Sequence, residues 1–168
     1  MSGAIAINPA GDKLLVTDLN SPGVNIFTAP FSAASTPEFL SIPTAGAPDG
    51  INITPDGNTA LVASAVFARL FAITAPFSSS SAVEEIPLPP LGGTVGFEDI
   101  GISSDGQLAI LTGNSGFNEF DLMAAFVEAP FTASGAVAHA VTVNGPGRGA
   151  GAVRFVPPNL ALVLSPPS

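Results

Sequence analysis

The sequence predicts an all-β protein, an arc of about three and a half four-stranded β-propeller blades, because two different motifs repeat together along it. The first motif is an Ile-x-Ile segment followed by a glycine turn, at 5–11 (IAINPAG), 51–57 (INITPDG) and 100–106 (IGISSDG). The second is Ala-Pro-Phe-Ser/Thr, which recurs downstream in the same three units. The first motif returns after 46 and then 49 residues. This period is typical of propeller blades.

Each unit is predicted to fold as an antiparallel meander. The Ile-x-Ile alternation indicates an innermost strand, the glycine that follows indicates a tight turn, and the apolar run after it indicates the second strand. A third strand is expected to end near the Ala-Pro-Phe marker. Turns rich in Ser and Pro then lead to outer fourth strands, expected at 39–42, 83–86 and 137–143.

A degenerate fourth copy of the first motif, 153–159 (VRFVPPN), follows the third after 53 residues and is predicted to supply only two strands. We therefore interpret the chain as one partial propeller domain of three units and a half-unit. The domain spans 1–168, with units at approximately 3–46, 47–94, 95–147 and 148–168.

Helices are disfavoured because 17 Pro and 18 Gly interrupt nearly every stretch long enough for several helical turns. The exception is 120–127, where the third unit carries about five extra residues. We interpret that segment as a longer hairpin loop or a short helical turn.

The innermost strands place large residues on one parity and mostly small ones on the other, for example Ile51 and Ile53 against Gly50. We expect the large residues of one blade to face the small residues of its neighbour. A β-sandwich would tolerate this alternation, but it would not require the repeat period.

The pattern Ile-x-Ile-x-Pro-Asp-Gly-x-x-x-Leu-Val resembles the inner half of bacterial YVTN-type propeller repeats, which are related to lactonase-like propellers. The sequence departs from that repeat where Leu15 and Leu61 replace the usual Tyr before Val. The long Ala-Pro-Phe-Ser hairpin is not part of the common repeat either. The resemblance implies a propeller fold and, in lactonase-like propellers, acidic positions that serve a metal.

The charge balance narrows the range of partners. Four basic against 13 acidic residues give a net charge of -9, which repels nucleic acid and anionic membranes, and we expect neither as a partner. No apolar run approaches the roughly 20 residues of a membrane span, and the first residues lack the features of a signal peptide. A soluble protein is expected, in a compartment that the cysteine-free sequence leaves open.

Carboxylates just before the innermost strands are the candidate metal ligands. Asp49 precedes Ile51, and the pair Glu98 and Asp99 precedes Ile100, at corresponding repeat positions. Oxygen ligands that converge on a propeller axis suit Ca²⁺ or Mg²⁺. The alternative is that these carboxylates cap turns or are solvated.

Other candidates carry weaker signals. Arg154 stands where the equivalent residues are small or neutral, so we expect it to pair with a carboxylate across the channel or across a subunit boundary. His139 is flanked by alanines in an outer strand and is expected to face solvent. The glycine-rich segment 145–151 is interpreted as a linker between blades. No catalytic residue and no organic cofactor site is predicted.

An arc of three and a half blades leaves an apolar face uncovered at each end. Either the chain is part of a longer propeller, or two copies associate as a homodimer that completes a closed ring, which is the interpretation we favour. The predicted function is a non-enzymatic binding or scaffold propeller of unknown ligand. The alternative is a metal-dependent, lactonase-like hydrolase that uses Asp49, Glu98 and Asp99.

Overall fold

A computed structural model describes residues 3–90, 95–115, 121–144, 152–156 and 160–164. The described residues form three four-stranded antiparallel sheets and one two-stranded hairpin. In each four-stranded sheet the strands pair in sequence order. The all-β class and the meander predicted for each unit are therefore confirmed.

The strands fall into three blades and a half-blade. Blade 1 contains β1 (Ile5–Ile7), β2 (Lys13–Thr17), β3 (Gly23–Thr28) and β4 (Glu38–Ser41). Blade 2 contains β5 (Pro48–Ile53), β6 (Thr59–Ser64), β7 (Leu70–Thr74) and β8 (Val83–Ile86). Blade 3 contains β9 (Val95–Ile102), β10 (Leu108–Ser115), β11 (Asp121–Glu128) and β12 (Val137–Asn144). The half-blade contains β13 (Ala152–Val156) and β14 (Leu160–Leu164).

The interpretation of 120–127 as a loop or helical turn was wrong. Most of that segment belongs to β11, which pairs with β10 on one side and with β12 on the other. The extra residues of the third unit lengthen its central hairpin, since β10 and β11 have eight residues each where β6 and β7 have six and five. Pairing on both edges decides the conformation here.

The tight turns predicted after each innermost strand are present. Gly57 and Gly106 have φ values of 75° and 70°, in the left-handed region that glycine adopts most easily. The preceding aspartates close these turns, since Asp56 accepts a hydrogen bond from the Thr54 hydroxyl (2.6 Å) and Asp105 accepts one from the Ser103 hydroxyl (2.6 Å). These aspartates stabilise the turns that the sequence predicts.

The hydrophobic core lies between blades. One buried cluster joins blade 1 to blade 2, and a second joins blade 2 to blade 3. The blades approach closely at glycines: a Cβ at Gly50 would lie 3.0 Å from the Asp99 Cα, and one at Gly101 would lie 3.2 Å from Val153 Cγ1. At Gly101, large side chains of the half-blade thus face a small residue of blade 3, as predicted.

Hydrogen bonds also join successive blades near the innermost strands. The Thr17 hydroxyl donates to the carbonyl oxygen of Asp49 (2.6 Å), which links blade 1 to blade 2. The Asn52 amide donates to the carbonyl oxygen of Ile100 (3.0 Å), which links blade 2 to blade 3. These bonds satisfy polar groups at the junctions and fix how each blade sits on the next.

A second set of contacts, which we call the outer clasps, joins the blades at their rims. Glu38 on β4 accepts hydrogen bonds from the backbone N–H and the hydroxyl of Ser79, both at 3.0 Å. Glu84 on β8 accepts a hydrogen bond from the backbone N–H of Ala133 at 3.1 Å. Each acceptor lies eight residues after the proline of the Ala-Pro-Phe marker in its own blade. Each donor lies three residues after the marker proline of the following blade. The outer clasp is therefore part of the repeat.

Candidate functional site

The candidate carboxylates lie at β-bulges that recur at one repeat position. In β5 the register shifts between Pro48 and Ile51, so Asp49 lies in the irregular stretch. In β9 the shift leaves Glu98 as the extra residue, because Asp99 pairs with Thr112 and the next pair is Phe97 with Gly113. Bulges re-aim side chains and are common next to functional sites. The two acidic side chains thus have equivalent backbone positions in neighbouring blades.

Burial and repulsion from a neighbouring carboxylate both raise the pKa of Asp49 and of Glu98. Desolvation raises the pKa of Asp49, and the negative charge of Asp99 raises it further. Desolvation also raises the pKa of Glu98, with a further contribution from the charge of Asp49. Both effects disfavour the ionised form. The Asp49 carboxylate is therefore close enough to Asp99 and to Glu98 for their charges to interact.

Asp99 already has partners within the chain. Its Oδ1 accepts a hydrogen bond from the N–H of Ile100 (2.9 Å), and its Oδ2 accepts one from the N–H of Val153 (2.9 Å). The Arg154 guanidinium pairs with the same Oδ2 at 2.7 Å. Asp99 thereby attaches the half-blade to blade 3. A cation at this carboxylate would have to compete with Arg154.

Arg154 lines a groove of about 610 Å³ beside the innermost strands, together with the equivalent residues Ala6 and Asn52. Its side chain is largely exposed, and its carboxylate partner is Asp99 in the adjacent blade of the same chain. The sequence predicted a carboxylate partner across the channel or across a subunit boundary. The observed partner is a carboxylate, but it lies in the adjacent blade of the same chain.

The metal prediction for Asp49, Glu98 and Asp99 stays a prediction. Among the described residues, no group of three or more His, Cys, Asp or Glu side chains is arranged so that it could hold a metal ion. Asp99, one of the three predicted ligands, is paired with Arg154. Ca²⁺ takes six to eight oxygen ligands, so backbone oxygens or water would have to complete its shell.

Of the two weaker candidates, the structure describes only His139. His139 lies on β12, the outermost strand of blade 3, and is exposed. The glycine-rich segment 145–151 lies outside the described residues. Across the described part of the chain there is no helix with the length and apolar character of a membrane span.

Sequence reasoning missed the outer clasps and the role of Asn52. The signal for the clasps was present, because Glu38 and Glu84 lie at the same distance from Pro30 and Pro76. Asn52 gave no comparable signal, since the equivalent residue in blade 1 is Ala6. These residues join successive blades.

Comparison with known proteins supports the fold. No family model and no curated protein matches the sequence. A putative 6-phosphogluconolactonase of Bacteroides uniformis is similar with a TM-score of 0.74 at 16% identity, over 96% of this chain and 46% of that one. A periplasmic gluconolactonase of Pseudomonas aeruginosa gives 0.72 at 20% identity, over 96% and 46%.

A third solved structure lies outside the lactonases. The β-propeller domain of Cps50 (Swd1) from Myceliophteria thermophila gives a TM-score of 0.67 at 16% identity, over 98% of this chain and 50% of that one. The chain thus spans half or less of the length of these three structures. At such identities the likeness shows the β-propeller fold alone, and the fold hosts both enzymes and binding domains.

Proposed function

We propose that the chain is a non-enzymatic binding or scaffold module, with its ligand site at the bulged starts of the innermost strands. The observation that carries this proposal is the engagement of Asp99 by Arg154 and two backbone N–H groups. Asp99 is the carboxylate that would have to complete a three-carboxylate metal site. Its use as a structural acceptor favours binding over metal-assisted chemistry.

The chemistry of the site favours a cationic ligand. Asp49 and Glu98 are partly buried carboxylates of raised pKa, and an ammonium or guanidinium group beside them would stabilise their ionised forms. The net charge of -9 would draw such a ligand toward the protein. Charge-assisted hydrogen bonds to carboxylates are also about twice as strong as neutral ones.

Calorimetric titration with spermidine, a flexible polycation, tests the proposal. Hydrogen bonds to charged groups contribute about 1.5–3 kcal/mol, so Asp49→Asn should weaken binding by about tenfold or more. Asp105→Asn is the matched control, since it removes one carboxylate from a turn outside the site, and it should bind as the unmodified protein does. Absence of binding, or equal weakening by both variants, would refute the cationic site.

The alternative is a metal-dependent hydrolase acting on lactones. It is favoured by the structural likeness to two proteins named as lactonases and by the raised pKa of Glu98, which suits a general acid. Hydrolysis of gluconolactone and of 6-phosphogluconolactone should be measured with and without CaCl₂. We expect the spontaneous rate in every case. Calcium-dependent hydrolysis that disappears in Asp49→Asn would instead establish the hydrolase.

A further inference from the structure

One face of blade 1 is uncovered, although the same face is buried in the blades that follow. Ile5 and Ile7 on β1 are 66% and 55% exposed. Their repeat equivalents Ile51 and Ile53 are only 4% and 7% exposed, because blade 1 covers them. The side chains are identical and the strands are equivalent. The difference is that, among the described residues, a blade precedes Ile51 and Ile53 but none precedes Ile5 and Ile7.

Two more repeat positions show the same asymmetry. Phe31 is 41% exposed, whereas the equivalent Phe77 and Phe131 are 1% and 7% exposed and pack in the clusters between blades. A Cβ at Gly57 would lie 3.3 Å from Pro9 of the preceding blade, but one at Gly11 would have no atom within 4 Å. We call Ile5, Ile7, Gly11 and Phe31 together the blade-1 face.

The repeat specifies what a covering blade has to bring. At the two complete junctions, a proline of the earlier blade lies next to the turn glycine of the later one: Pro9 at Gly57 and Pro55 at Gly106. A blade that covers the blade-1 face would therefore have its first turn next to Gly11.

Arg154 is the residue of the half-blade that matches the repeat at such a junction. It stands at the repeat position of Asn52, whose side-chain amide donates to the carbonyl oxygen of Ile100 in the next blade. A guanidinium has five N–H donors, and the Arg154 side chain is 67% exposed even with its bond to Asp99. It can therefore offer a donor to the strand of Ile5 in the way that Asn52 does to the strand of Ile100.

Blade number and symmetry agree with a second copy as the occupant. Two arcs, each of three blades and a half-blade, give eight radial positions, within the usual range of 4 to 8. Two-fold dimers are the commonest closed assemblies.

We propose that the blade-1 face binds the half-blade, β13–β14, of a second copy, and that two such junctions close one ring. Ile5 and Ile7 then pack on β13 of the other copy, as Ile51 and Ile53 pack on blade 1. The half-blade has no fourth strand in its described part, so the outer clasp is absent from the new junctions. Packing at the innermost strands provides their stability.

Sedimentation velocity at micromolar concentration is the first test. The expected mass is about 33 kDa, twice the 16.7 kDa of one chain. Ile5→Asp should raise the dissociation constant at least tenfold, since it puts a charge into an apolar junction. Val137→Asp is the control. Val137, like Ile5, is an exposed β-branched apolar residue (49%), but it lies on the outer strand β12. Thermal melts should show that both variants fold.

Cross-linking identifies which surfaces meet. The sequence of 168 residues has no cysteine, so Ile5→Cys and Arg154→Cys each create a single reactive site. Mixed together and treated with a short bismaleimide, they should give covalent dimers, whereas Ile5→Cys alone should give none, because the two Ile5 residues belong to different junctions. A monomer at micromolar concentration, as expected if further blades of a longer chain cover this face, would overturn the proposal. So would cross-linking of Ile5→Cys to itself, or equal dissociation by Val137→Asp.

Discussion

The pair Ile51 and Ile5 offers an internal comparison of how much a neighbouring blade contributes to stability. Both are the first large residue of an innermost strand, and each pairs with a valine on the second strand, Val62 or Val16. Ile51 is 4% exposed and Ile5 is 66% exposed. The substitutions Ile51→Ala and Ile5→Ala therefore remove the same atoms from equivalent strands, one with and one without a covering blade.

The expected magnitudes follow from burial. Ile51→Ala loses the transfer free energy of the removed atoms and leaves a cavity between blades, which together cost about 2–5 kcal/mol. Full burial of an isoleucine side chain contributes about 1.5–3 kcal/mol, so Ile5, with about a third of its surface covered, should lose about 0.5–1 kcal/mol. The free energies of unfolding of the two variants should thus differ by more than about 1 kcal/mol.

Urea unfolding followed by circular dichroism measures both values by linear extrapolation. The protein should be dilute enough to remain monomeric. At higher concentration, ring closure would bury Ile5, and the loss caused by Ile5→Ala should grow toward that of Ile51→Ala. Equal losses for the two variants in dilute solution would refute the reasoning, because they would mean that blade 1 gives Ile51 no protection that Ile5 lacks.

Three further substitutions test other contacts. Gly50→Ala brings a Cβ to 3.0 Å from the Asp99 Cα, and because that atom belongs to a paired strand, urea unfolding should show a loss of about 1–3 kcal/mol. Asp99→Ala removes the acceptor of the Val153 N–H, and hydrogen exchange of that amide should accelerate while unfolding shows a loss of about 1.5–3 kcal/mol. Asp49→Asn tests the raised pKa of the Asp49 carboxyl. Between the ordinary value of 3.8 and the raised folded value, the native state holds a proton that the unfolded state has released, so stability falls as pH rises through this window. The variant should therefore melt at a higher temperature than the unmodified protein at pH 7, and at about the same temperature near pH 3; no gain at pH 7 would show that the carboxyl is not perturbed.

Most of the fold could be predicted from the sequence because three different signals recur together in each repeat unit. The Ile-x-Ile parity, the glycine turn and the Ala-Pro-Phe marker each indicate the same strand order. The strands of each blade pair in that order. The error at 120–127 has a physical cause. Its local sequence carries helix-forming residues such as Leu122 and Met123, but β11 is paired on both edges, and tertiary pairing outweighs local propensity.

The candidate site was less predictable, because its chemistry depends on contacts between residues far apart in sequence. The positions of Asp49, Glu98 and Asp99 could be aligned through the repeat. The ion pair between Asp99 and Arg154, 55 residues later, could not be predicted from local sequence. Arg154 has a small or neutral residue at its equivalent positions in the other units, so no repeat copy shows the pairing a second time.

The outer clasps give the array a polarity. Glu38 accepts from Ser79 of the following blade, and Glu84 accepts from Ala133 of the following blade. A full unit such as blade 2 therefore carries the acceptor for the next blade and the donor for the previous one. Tandem duplication of one unit in the gene would therefore reproduce both halves of the contact without any new substitution. The third unit has Ala138 where the acceptor would stand, so lengthening the array beyond it calls for a different linkage at that edge.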